Sequence, residues 1–490
     1  MMKISRVLST QHPDNVTIPF FAENSVMNGD DEVKEAFHVF SDLGIDEQLW
    51  DAEGKEVDNF VVKKLLAKHQ DYFQKIVLGE NKFLTLRVPN PEVEKDEGKI
   101  LLETLHSIPR NADLGKMFYK QDSAPIFEVM LPMCSSEKQL IRVHEYYKQM
   151  IIGLQQKSMV PGDLTMREWL GDMSPKNIRV TPLFETKEAI LEADKHVEKY
   201  MKYENIKGLQ RVWFARSDPA LNYGSLANVL LAKIGLQRLH HLQEKTSIEI
   251  LPILGCGSAP FRGNFKPTNV SSMLKGYPSV QTFTAQSAFK YDFPLQEVIH
   301  GIEEIKHTKR KKPFPIDEDF GKKMIEKIEK DYQQSITLLA PLINQMSLYI
   351  PPRRKRKLHI DLFGYARQNK GVHLPRAITF CAALYSLGLP PEILGLSALT
   401  SQEIDKIRSS YTTVDTDLKD ALMYFNKDNL HYFPLEVQKK VQKAVKLFSF
   451  EVDEEHNKET SKIMAAFKNR NAEEIKERVV KAGKIRKFLG

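Results

Sequence analysis

Two carboxylates stand in this chain where side chains can do chemistry. Glu185 closes the run VTPLFET and Asp218 follows the run VWFAR, so each ends an apolar stretch, with one helical stretch between them. Hard oxygen ligands at successive strand ends suit Mg²⁺ or Mn²⁺, which take few protein carboxylates and complete their shells with water and substrate oxygens. Each carboxylate could instead cap the helix that follows it, and spacing alone leaves both readings open.

A second group of residues suits anions. In GCGSAPFRG, Gly255, Gly257 and Gly263 free the backbone to approach a ligand, and the Arg262 guanidinium can meet a carboxylate or phosphate with two parallel hydrogen bonds. The loop is not a dinucleotide fingerprint, because Pro260 falls where a helix should already run. It also lacks the Gly-Lys-Ser/Thr ending of a P-loop. A plain strand-to-helix connection is the alternative. His12, in STQHPDN, is held extended by Pro13 and can shuttle a proton near neutral pH, unless it is structural. Arg376, in LPRAITF, sits at a helix start, where a positive charge is disfavoured unless an anion is nearby.

These residues need elements to hold them. Short apolar or β-branched runs occur at Arg6–Thr10, Phe83–Val88, Ile126–Leu131, Ile178–Phe184, Arg211–Ala215, Ile248–Leu254, Ser279–Thr284 and His359–Phe363. Amphipathic stretches such as Thr186–Tyr203, Gly224–Lys245 and Leu295–Lys306 separate most of them. The alternation predicts parallel strands with helical crossovers, and eight units predict a (β/α)₈ TIM-type barrel, although an open doubly wound sheet reads almost the same. The functional residues favour the barrel. His12, Arg87, Glu185, Asp218, the loop to Arg262, Gln286 and Arg367 all follow strand candidates, and a barrel gathers such ends around one mouth. The expected division is a barrel over residues 1–375 and a helical region over 376–490 packed upon it.

Composition excludes much else. With 490 residues and 42% apolar content, the chain can bury a large core, and it shows no repeat or low-complexity segment. Three scattered cysteines, Cys134, Cys256 and Cys381, are too few for a disulfide framework. The N-terminus has no apolar h-region, and the longest apolar run, Ala377 to Leu389, is too short to span a bilayer, so a cytoplasmic protein without a membrane partner is expected. The net charge of +7 concentrates in HTKRKK (307–312) and RRKRK (353–357). Such runs beside proline read as solvated loop rims rather than nucleic-acid contacts, since no aromatic residues interleave them.

Together the segments resemble phosphoenolpyruvate carboxylase, in its shorter, archaeal-type form. STQHPDN resembles the family's histidine motif, PLFET the stretch with its metal-binding glutamate, and SDPALNYG that with its metal-binding aspartate. GCGSAPFRG resembles the glycine-rich catalytic loop, TAQSAFKYDFP the segment after it, and LPRAITF the one with a substrate-phosphate arginine. The resemblance implies that phosphoenolpyruvate and bicarbonate give oxaloacetate and phosphate, with Mg²⁺ or Mn²⁺ on Glu185 and Asp218. It implies His12 and Arg262 as catalytic residues, and Arg376 on the substrate phosphate. Gly255, Gly257, Gly263 and Gln286 would line the substrate. A homotetramer is implied as well. Two departures stand out: Cys256 replaces the first loop arginine of the longer bacterial and plant enzymes, and Leu221 replaces a lysine. Arg87 and Arg367 are the candidates to make up the lost contacts. The nearest alternative is another Mg²⁺-dependent barrel lyase acting on phosphoenolpyruvate or a 2-oxo acid.

Overall fold

A computed structural model describes residues 4–52, 58–355 and 372–490. Eight parallel strands close into a barrel in sequence order: β1 (Val7–Ser9), β2 (Glu47–Asp51), β3 (Phe83–Arg87), β4 (Ile126–Leu131), β5 (Arg179–Phe184), β6 (Leu209–Ala215), β7 (Glu249–Gly255) and β8 (Thr282–Ala285). Pairing of Val7 with Phe283, Leu8 with Thr284 and Ser9 with Ala285 completes the ring.

Seven of the eight expected strands lie in this barrel, and one expectation is corrected. The run His359–Phe363 lies outside the described residues, and the strand that completes the eight is Glu47–Asp51 instead. EQLWD escapes a search for apolar runs because two of its three inward residues, Glu47 and Asp51, are acidic. Glu47 accepts from Arg211 of β6 across the barrel interior, Nη1 to Oε1 at 2.7 Å and Nη2 to Oε2 at 2.9 Å.

The barrel interior is layered, as the two-residue period of strands requires. Near the N-terminal ends of the strands, Arg211 also donates to Glu128 Oε1 at 2.8 Å, while the Thr85 and Thr181 hydroxyls bond Glu47 and Glu128. Two residues further along the strands, Leu49, Met130, Leu183, Trp213 and Ile253 form an apolar plug with Leu8. Two residues further again, the alternation brings Asp51, Arg87 and Glu185 to the C-terminal mouth. The same alternation therefore builds the core and aims the site.

Helices cover the barrel outside, among them Gly29–Ser41, Gly98–Tyr119, Ala193–Tyr203, Ser225–Thr246 and Leu295–His307. A 30-residue helix, Glu318–Ser347, then packs along Ser225–Thr246, and its Tyr332 hydroxyl donates to the Leu221 carbonyl at 2.9 Å. The helix Ala377–Ser386 lies between Glu318–Ser347 and the last helix, Ala472–Arg486. Among the described residues, no single helix is long and apolar enough to cross a membrane.

Arg353 and Arg354, the first two residues of the second basic run, do not sit on the solvated rim that composition suggests. Arg354 is buried and pairs with Glu32 at 2.8 Å and with Glu35 at 2.8 and 2.9 Å, while Arg353 Nε donates to the Asn15 carbonyl at 2.8 Å. Burial alone would raise the Glu35 carboxyl, but Arg354 and Lys290 hold it down at about 2.

Candidate active site

A cavity of about 510 Å³ opens at the barrel mouth, lined among others by His12, Arg87, Asp218, Arg262 and Arg376. Five separately predicted residues thus share one cavity, although more than 360 positions separate the first from the last.

The segment after β1 is anchored at every step. Thr10 N donates to Ala285 O at 3.0 Å, and the Thr10 hydroxyl bonds His12 Nδ1 at 2.8 Å, which orients the imidazole. Lys290 holds the same turn by donating to the Thr10 carbonyl at 2.6 Å. Gln11 accepts from Asp51 N at 2.9 Å, and Asp51 pairs with Arg87 Nε at 2.8 Å. The guanidinium at the end of β3 is thereby fixed by the carboxylate at the end of the neighbouring strand β2.

Glu185 is 4% exposed, and its Oε2 accepts from Met133 N at 2.7 Å. It does not cap the following helix, because the Thr186 side chain does so through Ala189 N at 3.2 Å. Asp218 is the second residue of the helix Ser217–Tyr223, and it lines the cavity. Here too the preceding residue, Arg216, is the N-cap and makes no side-chain cap bond. Glu185 is therefore not a cap, whereas Asp218 lies in the first turn, where a carboxylate also suits the helix N-terminus. Leu183 and Phe184 of β5 pair with Trp213 and Phe214 of β6, so the two acidic residues leave adjacent strands.

Arg262 is completely buried. Its Nε donates to Ser217 Oγ at 3.2 Å, its Nη1 to Asp14 Oδ2 at 3.1 Å and to Gly490 O at 2.7 Å, and its Nη2 to Gln286 Oε1. Four of the five N–H groups of a guanidinium are thereby committed, leaving one on Nη2. Gln286 acts on Arg262 in this arrangement. Asp14 is the hub: it also accepts from Ser258 Oγ at 3.2 Å and from the Ser287 hydroxyl, and its carbonyl accepts from Leu489 N at 2.9 Å.

The loop glycines are explained by close packing. A Cβ at Gly255 would meet Trp213 Nε1 at 2.6 Å, and one at Gly257 would meet Gln286 Oε1 at 2.7 Å and Arg262 Cζ at 2.8 Å. At Gly263, where φ is +128°, it would meet Cys256 Cβ at 2.6 Å. The space beside each glycine is thus filled by this protein's own atoms. Cys256 is fully buried, its thiol pushed up to about 12 by burial, and its backbone N–H bonds Thr284 Oγ1 at 2.8 Å. Leu221 is likewise a core residue. Neither can stand in for a cation.

Arg376 is the N-cap of Ala377–Ser386, and Ala377, Ile378 and Thr379 of the first turn line the cavity beside it. A cation next to unpaired helix N–H groups is a ready anion site. Arg353 and Arg354 line the same cavity and were missed from sequence as site residues. Arg367 lies outside the described residues. Glu185, Gln286 and the loop glycines stand behind the cavity wall and do not line it.

Among the described residues, one other cluster has metal-ligand residue types: His144, Glu145 and Glu204. It lies at the opposite end of the barrel, beside the start of β5. Both its imidazole nitrogens already have partners, Nδ1 with Glu204 at 2.7 Å and Nε2 with Asn177 at 2.5 Å.

A closed parallel barrel with acidic and basic side chains converging at its C-terminal mouth is the architecture on which barrel enzymes carry their active sites. Comparison with known proteins makes the class specific. Residues 4–490 match the family described as Phosphoenolpyruvate carboxylase, and the chain belongs to that family. Proteins of that name from Methanospirillum hungatei, Methanothermobacter thermautotrophicus and Pyrococcus abyssi are 49%, 47% and 46% identical. The alignments cover 100%, 100% and 99% of this chain and 100% of each relative. Among solved structures, a Haloferax volcanii malate synthase aligns over 66% of this chain and 80% of its own at 8% identity and a TM-score of 0.35, too distant to carry an argument.

Proposed function

We propose that the mouth cavity is where phosphoenolpyruvate and bicarbonate become oxaloacetate and inorganic phosphate. The observation that carries this is the family match along residues 4–490, joined to one cavity that gathers His12, Arg87, Asp218, Arg262 and Arg376.

Glu185 and Asp218 would hold Mg²⁺ or Mn²⁺. They are hard oxygen donors that follow adjacent strands, and Glu185, which is not a helix cap, is buried with Oε2 turned to a backbone N–H. Bound there, the cation supplies Lewis-acid stabilisation for charge developing on substrate oxygens. Arg376 and the first turn of its helix would bind the phosphate, with Arg367 assigned to the same group. A bicarbonate oxygen attacks phosphorus, the bond from phosphorus to the enol oxygen breaks, and carboxyphosphate and the enolate of pyruvate result. His12, oriented by Thr10, takes the carboxyphosphate proton; CO₂ and phosphate separate, and the enolate carbon attacks CO₂. Arg87, fixed by Asp51, would offset charge on the carboxylate side, while Arg262 would hold the carboxyphosphate through its remaining N–H. Closure of the loop from Gly255 to Gly263 would exclude water, which otherwise protonates the enolate to pyruvate.

In this reading the protein works in the cytoplasm as a homotetramer, without nucleic acid or membrane. Supporting the assembly, Met159, Val160, Leu164, Trp169 and Leu170 are large apolar side chains left exposed together on one excursion between β4 and β5. The test supplies phosphoenolpyruvate and metal with and without bicarbonate and follows NADH oxidation through added malate dehydrogenase. A signal that needs bicarbonate is expected, and its absence would favour another Mg²⁺-dependent barrel lyase acting on phosphoenolpyruvate or a 2-oxo acid.

A further inference from the structure

The run HTKRKK has no part in the mouth. Its residues lie at the other end of the barrel, where β7 and β8 begin, and they separate two cavities. The larger, about 500 Å³, is lined by Arg6, Lys275, Lys309, Lys311 and Lys312 with Glu304 as its one acidic residue. The smaller, about 320 Å³, is lined by His240, Arg310, Lys311 and Lys312 against an apolar wall that includes Leu236 and Ile250. Lys311 and Lys312 face both.

Three features set this cleft apart from an ordinary basic rim. Lys275, Lys309 and Lys311 have no ion-pair partner among the described residues, so the larger cavity holds cations that the fold does not neutralise. Arg6 and Arg310 are fixed rather than free: Arg6 donates to the carbonyls of Val280 at 2.7 Å, Gln281 at 2.8 Å and Ile305 at 3.2 Å, and Arg310 to that of Ile250 at 2.6 Å. Ser279 is 7% exposed, lines the smaller cavity, and its hydroxyl has no hydrogen-bond partner. A buried unpaired hydroxyl beside clustered cations is what a bound anion would satisfy. Burial, and after it the neighbouring Arg310, bring Arg6 down to about 10.

We infer that this cleft binds a small phosphorylated metabolite carrying several phosphate charges, at a site separate from the mouth. The placement argues for a compact ligand, because the unpaired cations stand at the rims of two neighbouring concavities that share Lys311 and Lys312 and do not line an extended ridge for a polymer. Phosphate fits better than a single carboxylate, because one monoanion leaves most of these cations unmatched, whereas a polyphosphate reaches both sides of Lys311.

The test is titration calorimetry with inorganic tripolyphosphate on the wild type, on the double variant Lys309→Glu/Lys311→Glu and on Arg376→Ala, with ATP as a second probe. Binding to the wild type is expected, weakened at least tenfold in the double variant and unchanged in Arg376→Ala. The double variant should keep wild-type oxaloacetate formation without polyphosphate, which shows that it is folded. ATP binding weakened in parallel would assign a nucleotide, and tripolyphosphate binding alone an inorganic or simple phosphate ester. No binding, equal binding by the double variant, or loss of binding in Arg376→Ala would overturn the inference. So would a 20-nucleotide RNA that binds more tightly than tripolyphosphate with a steep salt dependence.

Discussion

Asp14 and Arg262 show what a single residue contributes here. Both are fully buried and lie 3.1 Å apart, and each supplies the opposite charge that the other's burial requires. The residue types at strand ends were legible in the sequence because the chemistry of a metal and an anion restricts them to carboxylates, histidine and arginine. Asp14 was not, since its partner is 248 residues away and the pairing exists only once the barrel has closed. At this scale the metal assignment is tested by Glu185→Ala and Asp218→Ala. Each should lower oxaloacetate formation by more than the ~10–100-fold typical of groups that merely support a ligand, and weaken Mn²⁺ binding measured by electron paramagnetic resonance. Circular dichroism should show the fold unchanged. Full activity in either variant would remove that carboxylate from the site.

The glycine-rich loop behaves as an element clasped from outside the barrel. Glu392 accepts from the Tyr385 hydroxyl at 2.5 Å and from the backbone of Phe261, so a helical-region carboxyl holds the loop's middle. Asn264 is clasped in turn by Asp417 at 2.8 Å and Asp420 at 3.0 Å. Because burial raises Glu392 to about 7 against an ordinary 4.5, its folded form holds a proton that the unfolded chain has released between those values. Its stabilising contribution is therefore complete below about pH 4.5 and lost as pH rises through about 7. Glu392→Gln should match the wild type near pH 4.5 and gain relative stability toward pH 8.5, on the order of 3 kcal/mol, in urea unfolding at several pH values. A difference that does not change with pH would contradict this. Gly263→Ala should destabilise by about 1–3 kcal/mol and lower turnover, because φ is +128° and the new methyl group meets Cys256. The missed strand β2 belongs to this scale too. A search for apolar runs finds strands whose inward faces are greasy, and it passes over Glu47–Asp51, whose inward Leu49 is flanked by an arginine's partner and a site carboxylate.

In the whole molecule, a polar layer, an apolar plug and a charged mouth are stacked along one barrel axis. The barrel and its crossover helices could be read from periodicity, because burial on both sides of parallel strands writes itself into runs of apolar residues. The return of the C-terminal segment to the mouth could not: the contacts of Leu489 with Asp14 and of Gly490 with Arg262 depend on how the last helices pack. Arg211→Met should cost about 3–5 kcal/mol, since it leaves Glu47 and Glu128 buried without their shared cation. Thermal and urea unfolding would read this directly, and a variant as stable as the wild type would show that the polar layer does not hold the barrel together.

The central claim is that the mouth couples phosphoryl transfer to carboxylation, with Arg262 retaining the carboxyphosphate between the two. The ratio of phosphate released to oxaloacetate formed, measured in the same reaction for the wild type and Arg262→Ser, tests it most directly. The wild type should give one oxaloacetate per phosphate, whereas Arg262→Ser should release phosphate in a bicarbonate-dependent way with pyruvate in place of most of the oxaloacetate. Oxaloacetate formed by Arg262→Ser at the wild-type rate and ratio would contradict the account.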